Sequence, residues 1–114
     1  MSEAAADSAA VRRRLEALLA ECRAASTATA DDRKPVELDQ TTVGRLSRVD
    51  AMQRQAMAQA AERQRHLRIQ RLRAALERLD QGDYGYCVRC GEEIAPRRLA
   101  ADPAIPTCID CARG

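Results

Sequence analysis

The sequence predicts a mostly α-helical protein: an antiparallel helical hairpin or coiled-coil rod, followed by a C-terminal four-cysteine zinc-finger module. Three features carry this prediction. Two segments show helical spacing of apolar residues, a polar, proline-containing stretch separates them, and two C-x-x-C pairs lie near the C-terminus. At 114 residues the chain allows one small domain. We divide it into a helical hairpin over residues 1–80 and the cysteine module over residues 81–114.

The first helix is predicted over residues 7–25. Its apolar residues recur at alternating spacings of four and three, which is typical of a coiled-coil seam. They are Val11, Leu15, Leu18, Cys22 and Ala25. Because Cys22 lies on this seam, we interpret it as a small buried hydrophobic residue rather than a redox thiol. Residues 26–41 carry small polar residues, two adjacent acids and Pro35, so we expect an irregular or extended connection there.

A second, longer helix is predicted over residues 42–80. Near its start one face carries Leu46, Val49, Met52, Ala56 and Ala60, and near its end a seam carries Ile69, Leu72, Leu76 and Leu79. The two stripes point in different directions, so we expect the two halves to face different partners. The helix should span about 50 Å against about 27 Å for the first. The connection should therefore run back along the uncovered stripe, with a turn near residues 42–50 at the far end of the rod.

The cysteine pairs are Cys87 with Cys90 and Cys108 with Cys111, with 17 residues between the pairs. Zinc binds four thiolates at tetrahedral corners, and each C-x-x-C turn supplies two of them. Two disulfides or an iron site of the rubredoxin type would use the same residues, but the spacing favours one structural zinc. All four coordination positions are then filled, so the metal should hold the fold together without catalysing a reaction.

Composition explains why a metal would be useful. The chain has no Phe, no Trp and two Tyr, and much of its 46% hydrophobic content is alanine, which buries little apolar area. A core this thin commonly needs a metal to be stable. We see neither a secretory signal nor an apolar run of about 18 residues that could span a membrane. A cytoplasmic protein without membrane contact is expected.

The charge pattern bears on partners. The net charge is +2, and four thiolates with one Zn²⁺ would bring the metal-loaded chain close to neutrality. Direct, sequence-specific DNA binding usually requires a marked basic excess, so we do not expect it. The long helix carries Arg63, Arg65, Arg68, Arg71 and Arg73 without an acid among them. They scatter around the helix, which favours a solvated surface and leaves open a partner contact for Arg68 or Arg71.

Nothing in the sequence indicates an enzyme. There is no glycine-rich phosphate loop, and the single histidine, His66, leaves no Ser-His-Asp set to assemble. A metal site closed by four thiolates does not need an imidazole, so we interpret His66 as a surface residue.

The cysteine module resembles the DksA/TraR family of transcription regulators. The resemblance is carried by Gly82-Asp83-Tyr84-Gly85-Tyr86-Cys87, Cys90-Gly91-Glu92-Glu93-Ile94, Pro96-Arg97-Arg98-Leu99 and Cys108-Ile109-Asp110-Cys111. It implies a rod-like protein that binds RNA polymerase rather than DNA. In this family a coiled coil enters the polymerase secondary channel and places an acidic tip near the active site, and some members act with the alarmone ppGpp. A short, monomeric paralogue is expected.

The tip and the alarmone site depart from the family pattern. The family tip has two acids three residues apart, followed two residues later by alanine. Aligning Asp50 with the second acid places Ser47 and Met52 at the other two positions. An ungapped count from Cys87 instead places Gly44, Ser47 and Val49 there. Either way the tip is altered, and Asp50 is the one nearby acid.

At the alarmone site, the places where responsive relatives carry basic residues correspond to Arg71, Asp102 and Ala112. A weak or absent ppGpp response is therefore expected, with Arg97 and Arg98 near enough to compensate. Two other functions stay open on the sequence alone. They are a zinc-ribbon nucleic-acid-binding protein and a coiled-coil adaptor for another protein.

Overall fold

The computed structural model describes residues 2–35 and 45–114. Helix α1 spans Ser2–Ala28, a 3-10 helix follows at Ala30–Arg33, and helix α2 spans Arg45–Gln81. Two short helices, α3 at Pro96–Ala101 and α4 at Ile109–Arg113, belong to the cysteine module. The molecule measures 68 × 30 × 20 Å, so the predicted helical rod with a C-terminal module is confirmed. Among the described residues, no helix is long and apolar enough to cross a membrane.

Helix α1 is longer than the predicted segment 7–25. Alanines near the N-terminus favour helix, so the helix begins five residues before the predicted start at Asp7. At the other end the helix continues to Ala28, and the side chain and backbone N–H of Thr29 both donate to the Ala25 carbonyl, at 2.8 and 3.1 Å. The predicted irregular connection from residue 26 is therefore wrong over its first part.

Helix α2 begins at Arg45, so the predicted turn near residues 42–50 is wrong from that residue onward, and residues 42–44 lie outside the described residues. Its C-terminus is closed by Gly82, whose positive φ of 81° suits glycine. The Gly82 N–H donates to the Leu79 carbonyl and the Asp83 N–H to that of Arg78, which is the Schellman arrangement. The helix ends abruptly here, and the chain changes direction and enters the cysteine module.

The core lies between α1 and the C-terminal half of α2. Its buried members are Leu15, Leu19, Leu72, Ala75 and Ala104. Val11, Leu18, Cys22, Ile69, Leu76, Leu79 and Tyr84 pack around them. The two predicted seams meet here, and Cys22 packs beside the core as expected. Leu19 and Ala75 were not on either predicted seam, and Ala104 comes from the cysteine module.

The two halves of α2 differ in their surroundings. We call residues 62–81 the basal segment and residues 47–61 the distal segment. In the distal segment Val49 and Met52 are 44% and 53% exposed, and Ala56 is also exposed. The connection does run back along this segment, since Gln55 donates to the Lys34 carbonyl at 2.7 Å. Residues 36–44 of the connection lie outside the described residues, so its course over the apolar stripe stays a prediction.

One hydrogen bond within the cysteine module and two contacts with the long helices fix the module to the base of the rod. The Tyr84 hydroxyl donates to the Pro103 carbonyl at 2.8 Å, and burial raises the pKa of this phenol, so it stays a donor. Arg14 of α1 donates to the Ala100 carbonyl at 2.8 Å. Ala104, which is 1% exposed, completes the hairpin core. The module is therefore packed onto both long helices.

Candidate metal centre

The structure brings the four predicted ligands together. The sulfur atoms of Cys87, Cys90, Cys108 and Cys111 all lie within 4.8 Å of one another. The Sγ atoms of Cys90 and Cys108 are 3.7 Å apart. With Zn–S bonds of about 2.3 Å, the edge of a regular tetrahedron is about 3.8 Å. The donor set therefore fits a single tetrahedral zinc ion.

Local backbone geometry builds the first cysteine turn. The Cys87 N–H donates to the Glu92 carbonyl at 2.8 Å, and the Gly91 N–H donates back to the Cys87 carbonyl at 2.9 Å. Gly91 has a φ of 79°, a conformation that side-chain-bearing residues rarely adopt. The Arg89 N–H points at the Cys87 sulfur from 3.4 Å, as expected of an amide that supports a metal-bound thiolate.

The second turn stands at the start of a helix. Cys108 directly precedes α4, and Cys111 lies within it, with the Ala112 N–H donating to the Cys108 carbonyl at 3.0 Å. The Val88 N–H donates to the Pro106 carbonyl at 2.9 Å, which ties the first turn to the bridge before the second. Residues far apart in sequence are thus held at one point.

Thiol ionisation shows why this cluster suits a cation. Burial raises the pKa of Cys87, but the backbone N–H groups of Cys108, Cys90 and Arg89 and the Cys111 thiol outweigh it and lower the pKa to about 6. Hydrogen bonding with the neighbouring thiols, chiefly Cys108, raises the pKa of Cys111 to about 12. The Cys87 thiolate therefore forms readily, whereas the Cys111 thiol resists ionisation. A divalent cation at the centre removes that conflict.

The filled ligand set defines the role of the metal. Cys87 is 3% exposed, Cys108 and Cys111 are half-buried, and Cys90 is exposed. Four thiolates leave no coordination position for water or substrate, so zinc here supplies structural cross-linking. The prediction of one structural zinc is confirmed by this geometry together with the family match given below.

The predicted tip residues lie on the distal segment, far in sequence from the cysteines. Ser47, Asp50 and Met52 are all exposed. Asp50 is the only acid between residues 45 and 61. The structure does not bring these residues to the metal centre, and their role stays a prediction.

The predicted contact arginines have different surroundings. Arg68 lies 3.5 Å from the Asp102 carboxylate, which also accepts the Ala104 N–H at 3.1 Å. Arg98 donates from Nε to the Thr107 carbonyl at 3.0 Å. Arg71 and Arg97 are exposed. Arg68 and Arg98 therefore have structural partners within the chain, whereas Arg71 and Arg97 present their side chains to solvent.

Sequence reasoning missed a polar cluster around Glu62. Its carboxylate accepts a hydrogen bond from Ser26 at 2.7 Å and lies 2.8 Å from Arg33 and 2.6 Å from Arg65. The Ser26 hydrogen bond lowers the Glu62 pKa, burial raises it, and the two arginines lower it, so that it falls below the usual 4.5. The spacing of Glu62 from Arg65 and His66 on the helix was a visible signal for part of this cluster.

Comparisons with known proteins agree with this geometry. Residues 82–114 match the prokaryotic dksA/traR C4-type zinc finger. The RNA polymerase-binding transcription factor DksA of Haemophilus influenzae is 50% identical over 50 residues, covering 44% of this chain and 34% of the relative. The protein of the same name from Escherichia coli strain K12 is 44% identical over 50 residues, covering 32% of its length. The cysteine module is therefore similar to the dksA/traR zinc finger and to the DksA transcription factors.

The zinc-finger match lies in the C-terminal part of the chain. The matched region spans about a third of the length of these curated relatives. The fold extends further: the structure of transcription factor DksA2 from Pseudomonas aeruginosa aligns with a TM-score of 0.75 and 23% identity. That alignment covers 95% of this chain and 81% of the other. The similarity of fold therefore extends beyond the matched zinc finger to the helical hairpin.

Proposed function

We propose that this protein binds RNA polymerase and regulates transcription by inserting its helical rod into the polymerase secondary channel. The observation that carries the proposal is the rod itself, 68 Å long and 20 to 30 Å across, with the zinc module packed at its base. It has the fold of a solved DksA-type transcription factor over 95% of its length. Two relatives that match 44% of this chain are named RNA polymerase-binding transcription factors.

The proposed role of the metal is to anchor the base. The zinc module contributes Ala104 to the hairpin core and receives Arg14 from α1, so the two helices and the module form one rigid handle. The distal segment of α2 then projects away from it. We infer a regulator that acts by occupying a channel, without chemistry of its own.

The altered tip should change the size or direction of the transcriptional effect. Asp50 is the one acid available there, and Ser47 and Met52 cannot supply a second charge. An exposed carboxylate near a metal-bearing active site perturbs it electrostatically. We therefore assign the remaining tip activity to Asp50.

The decisive experiment is binding of the purified, zinc-loaded protein to purified RNA polymerase core enzyme, followed by biolayer interferometry. Saturable binding that competes with a longer DksA supports the secondary-channel mode. Binding to free DNA that falls steeply with salt would instead support a nucleic-acid-binding zinc ribbon. Lack of binding to both would favour a coiled-coil adaptor, which could dock through the exposed Val49, Met52 and Met57.

We further propose that ppGpp acts weakly or not at all through this protein. Of the three places where a polyanion would need cations, Arg71 keeps the charge, Ala112 lacks it and Asp102 reverses it. The Asp102 carboxylate also lies 3.5 Å from Arg68, which reduces the availability of that arginine. Titrating ppGpp into the protein–polymerase complex should change transcription little. A strong enhancement that disappears in Arg71→Ala would contradict this.

A further inference from the structure

Among the residues that the structure describes, Glu62 is the one charged residue that is buried, with its side chain 12% exposed. A carboxylate removed from water costs several kcal/mol unless other groups satisfy its charge and its lone pairs. The zinc centre does not use Glu62, and the proposed tip does not include it. The position therefore needs its own explanation.

The Glu62 carboxylate is satisfied by groups from three different elements. Ser26 of α1 donates to Oε1 at 2.7 Å, and Arg33 of the 3-10 helix lies 2.8 Å from Oε2. From α2 itself, Arg65 reaches Oε2 at 2.6 Å, and His66 Nε2 lies 3.5 Å from Oε1. We call these five residues the Glu62 cluster.

Arg33 also holds the end of α1. Its Nη2 donates to the Ser26 carbonyl at 3.0 Å and its Nη1 to the Thr29 hydroxyl at 2.8 Å. A guanidinium at a helix C-terminus satisfies carbonyls that lack intrahelical partners and complements the negative end of the helix dipole. One side chain thus joins the end of α1, the 3-10 helix and the middle of α2.

The cluster stands on the tip side of the buried apolar core. Toward the zinc module, α1 and the basal segment bury Leu15 and Leu72 completely. Toward the tip, the described contacts include the hydrogen bond from Gln55 to the Lys34 carbonyl. Asp50 lies 12 residues beyond Glu62, or about 18 Å at 1.5 Å per residue. A small change of angle at Glu62 would move the tip by several ångströms.

We infer that Glu62 is a positioning residue: with Arg33 it clamps the end of α1 onto α2 and sets the direction in which the distal segment carries the tip. Apolar contacts alone would permit sliding at this point, since they lack direction. A charge-assisted bond from a planar guanidinium to a buried carboxylate fixes both distance and orientation. The transcriptional consequence rests on the proposed function, whereas the clamp itself does not.

Amide hydrogen exchange tests the clamp without polymerase. Glu62→Gln keeps the shape of the side chain but removes the charge, and Arg33→Gln removes the partner. Each should speed exchange of residues 29–35 by about tenfold or more, because each leaves a buried polar group without its charged partner. Amides around Leu72 should change by less than about twofold, since their protection comes from the apolar core.

A double-mutant cycle tests directly whether Glu62 and Arg33 act together. If Glu62 and Arg33 act as a unit, the double variant should exchange no faster than either single one. Asp31→Asn is the matched control, because Asp31 of the same short helix pairs with Lys34 just after it, and both side chains are exposed. The clamp would be overturned if the effects of Glu62→Gln and Arg33→Gln on exchange simply add. It would also be overturned if their effects only equal that of Asp31→Asn.

The functional arm separates positioning from folding. Glu62→Gln should bind RNA polymerase within about threefold of wild type while losing most of the transcriptional effect, because the basal contacts remain and the tip is misdirected. Full activity of a well-folded Glu62→Gln would overturn the positioning role. Wild-type protein that fails to bind polymerase would overturn the proposed function only, and the exchange results would still decide the clamp.

Arg33→Lys provides a second test of the clamp if Glu62→Gln does not fold. Lysine retains the charge but has one nitrogen in place of the planar fork, in which Nη1 reaches Glu62 and Thr29 and Nη2 reaches the Ser26 carbonyl. Exchange of residues 29–35 should then fall between wild type and Arg33→Gln. Exchange equal to wild type would show that charge alone suffices and that the fork geometry plays no part.

Discussion

The basal and distal segments belong to one continuous helix, yet they are stabilised in different ways. The basal segment buries Leu72 and Ala75 against α1 and the zinc module. The distal segment leaves Val49, Met52 and Met57 between 44% and 72% exposed. The rod is therefore stabilised mainly at its base, whereas the surface proposed to act on transcription lies toward its tip. Changes at the base should alter folding, and changes at the tip should alter activity.

Loss of zinc should have the largest effect on this division. Cys87→Ser removes one of four ligands, and structural zinc contributes on the order of 10 kcal/mol to folding in small zinc modules. We expect residues 81–114 to unfold while much of α2 stays helical. Metal analysis and circular dichroism would measure this, with zinc at one equivalent per wild-type chain. A well-ordered module after complete chelation would contradict a structural metal.

The basal core should be the next most sensitive region. Leu72 is fully buried, so Leu72→Ala should lower the free energy of unfolding by about 3 kcal/mol through lost burial and a cavity. Met57→Ala is the matched control in the distal segment, because Met57 is 72% exposed and should cost less than about 0.5 kcal/mol. Urea denaturation of the zinc-loaded proteins would compare them. Equal costs would show that the distal segment is packed in solution.

The tip should show the opposite behaviour. Asp50→Asn removes an exposed charge, so the free energy of unfolding should stay within about 0.5 kcal/mol of wild type. We expect this variant to bind RNA polymerase nearly normally and to lose the effect on transcription. In vitro transcription and a binding curve on the same preparation would separate the two. Loss of both together would make the tip a docking element instead.

Low pH should weaken the Glu62 cluster, which lies where the basal and distal segments meet. Because the Glu62 pKa is lower in the folded protein than its usual 4.5, its contribution to stability is present above that pH. The contribution is lost as the pH falls through the lowered value. Glu62→Gln should therefore flatten this part of the stability profile, while Asp80→Asn, at an exposed ion pair with Arg12, should not. This loss of stability would be measured as a loss of amide-exchange protection in residues 29–35 between pH 5 and pH 3. Parallel profiles for all three proteins would exclude Glu62 as the source.

The features that could be predicted from the sequence depend on residues that lie close together in the chain. The zinc ligands form two short C-x-x-C turns, and zinc chemistry accepts few other arrangements of four thiolates. The seam residues Leu15 and Leu72 followed from helical periodicity, because that spacing places them on a face that must leave water. The fold class and the metal needed no knowledge of distant contacts.

Only the tertiary structure revealed contacts between residues far apart in the chain. Ala104 completes the core from the cysteine module, although a lone alanine in a proline-rich bridge carries no pattern. Glu62 meets Ser26 and Arg33 because α1 ends at Ala28 beside the middle of α2, and that register depends on the packing of whole helices. Periodicity describes one helix at a time and cannot state where its neighbour stops. Burial of a charge is decided by such a neighbour, which is why Glu62 became apparent only in the folded protein.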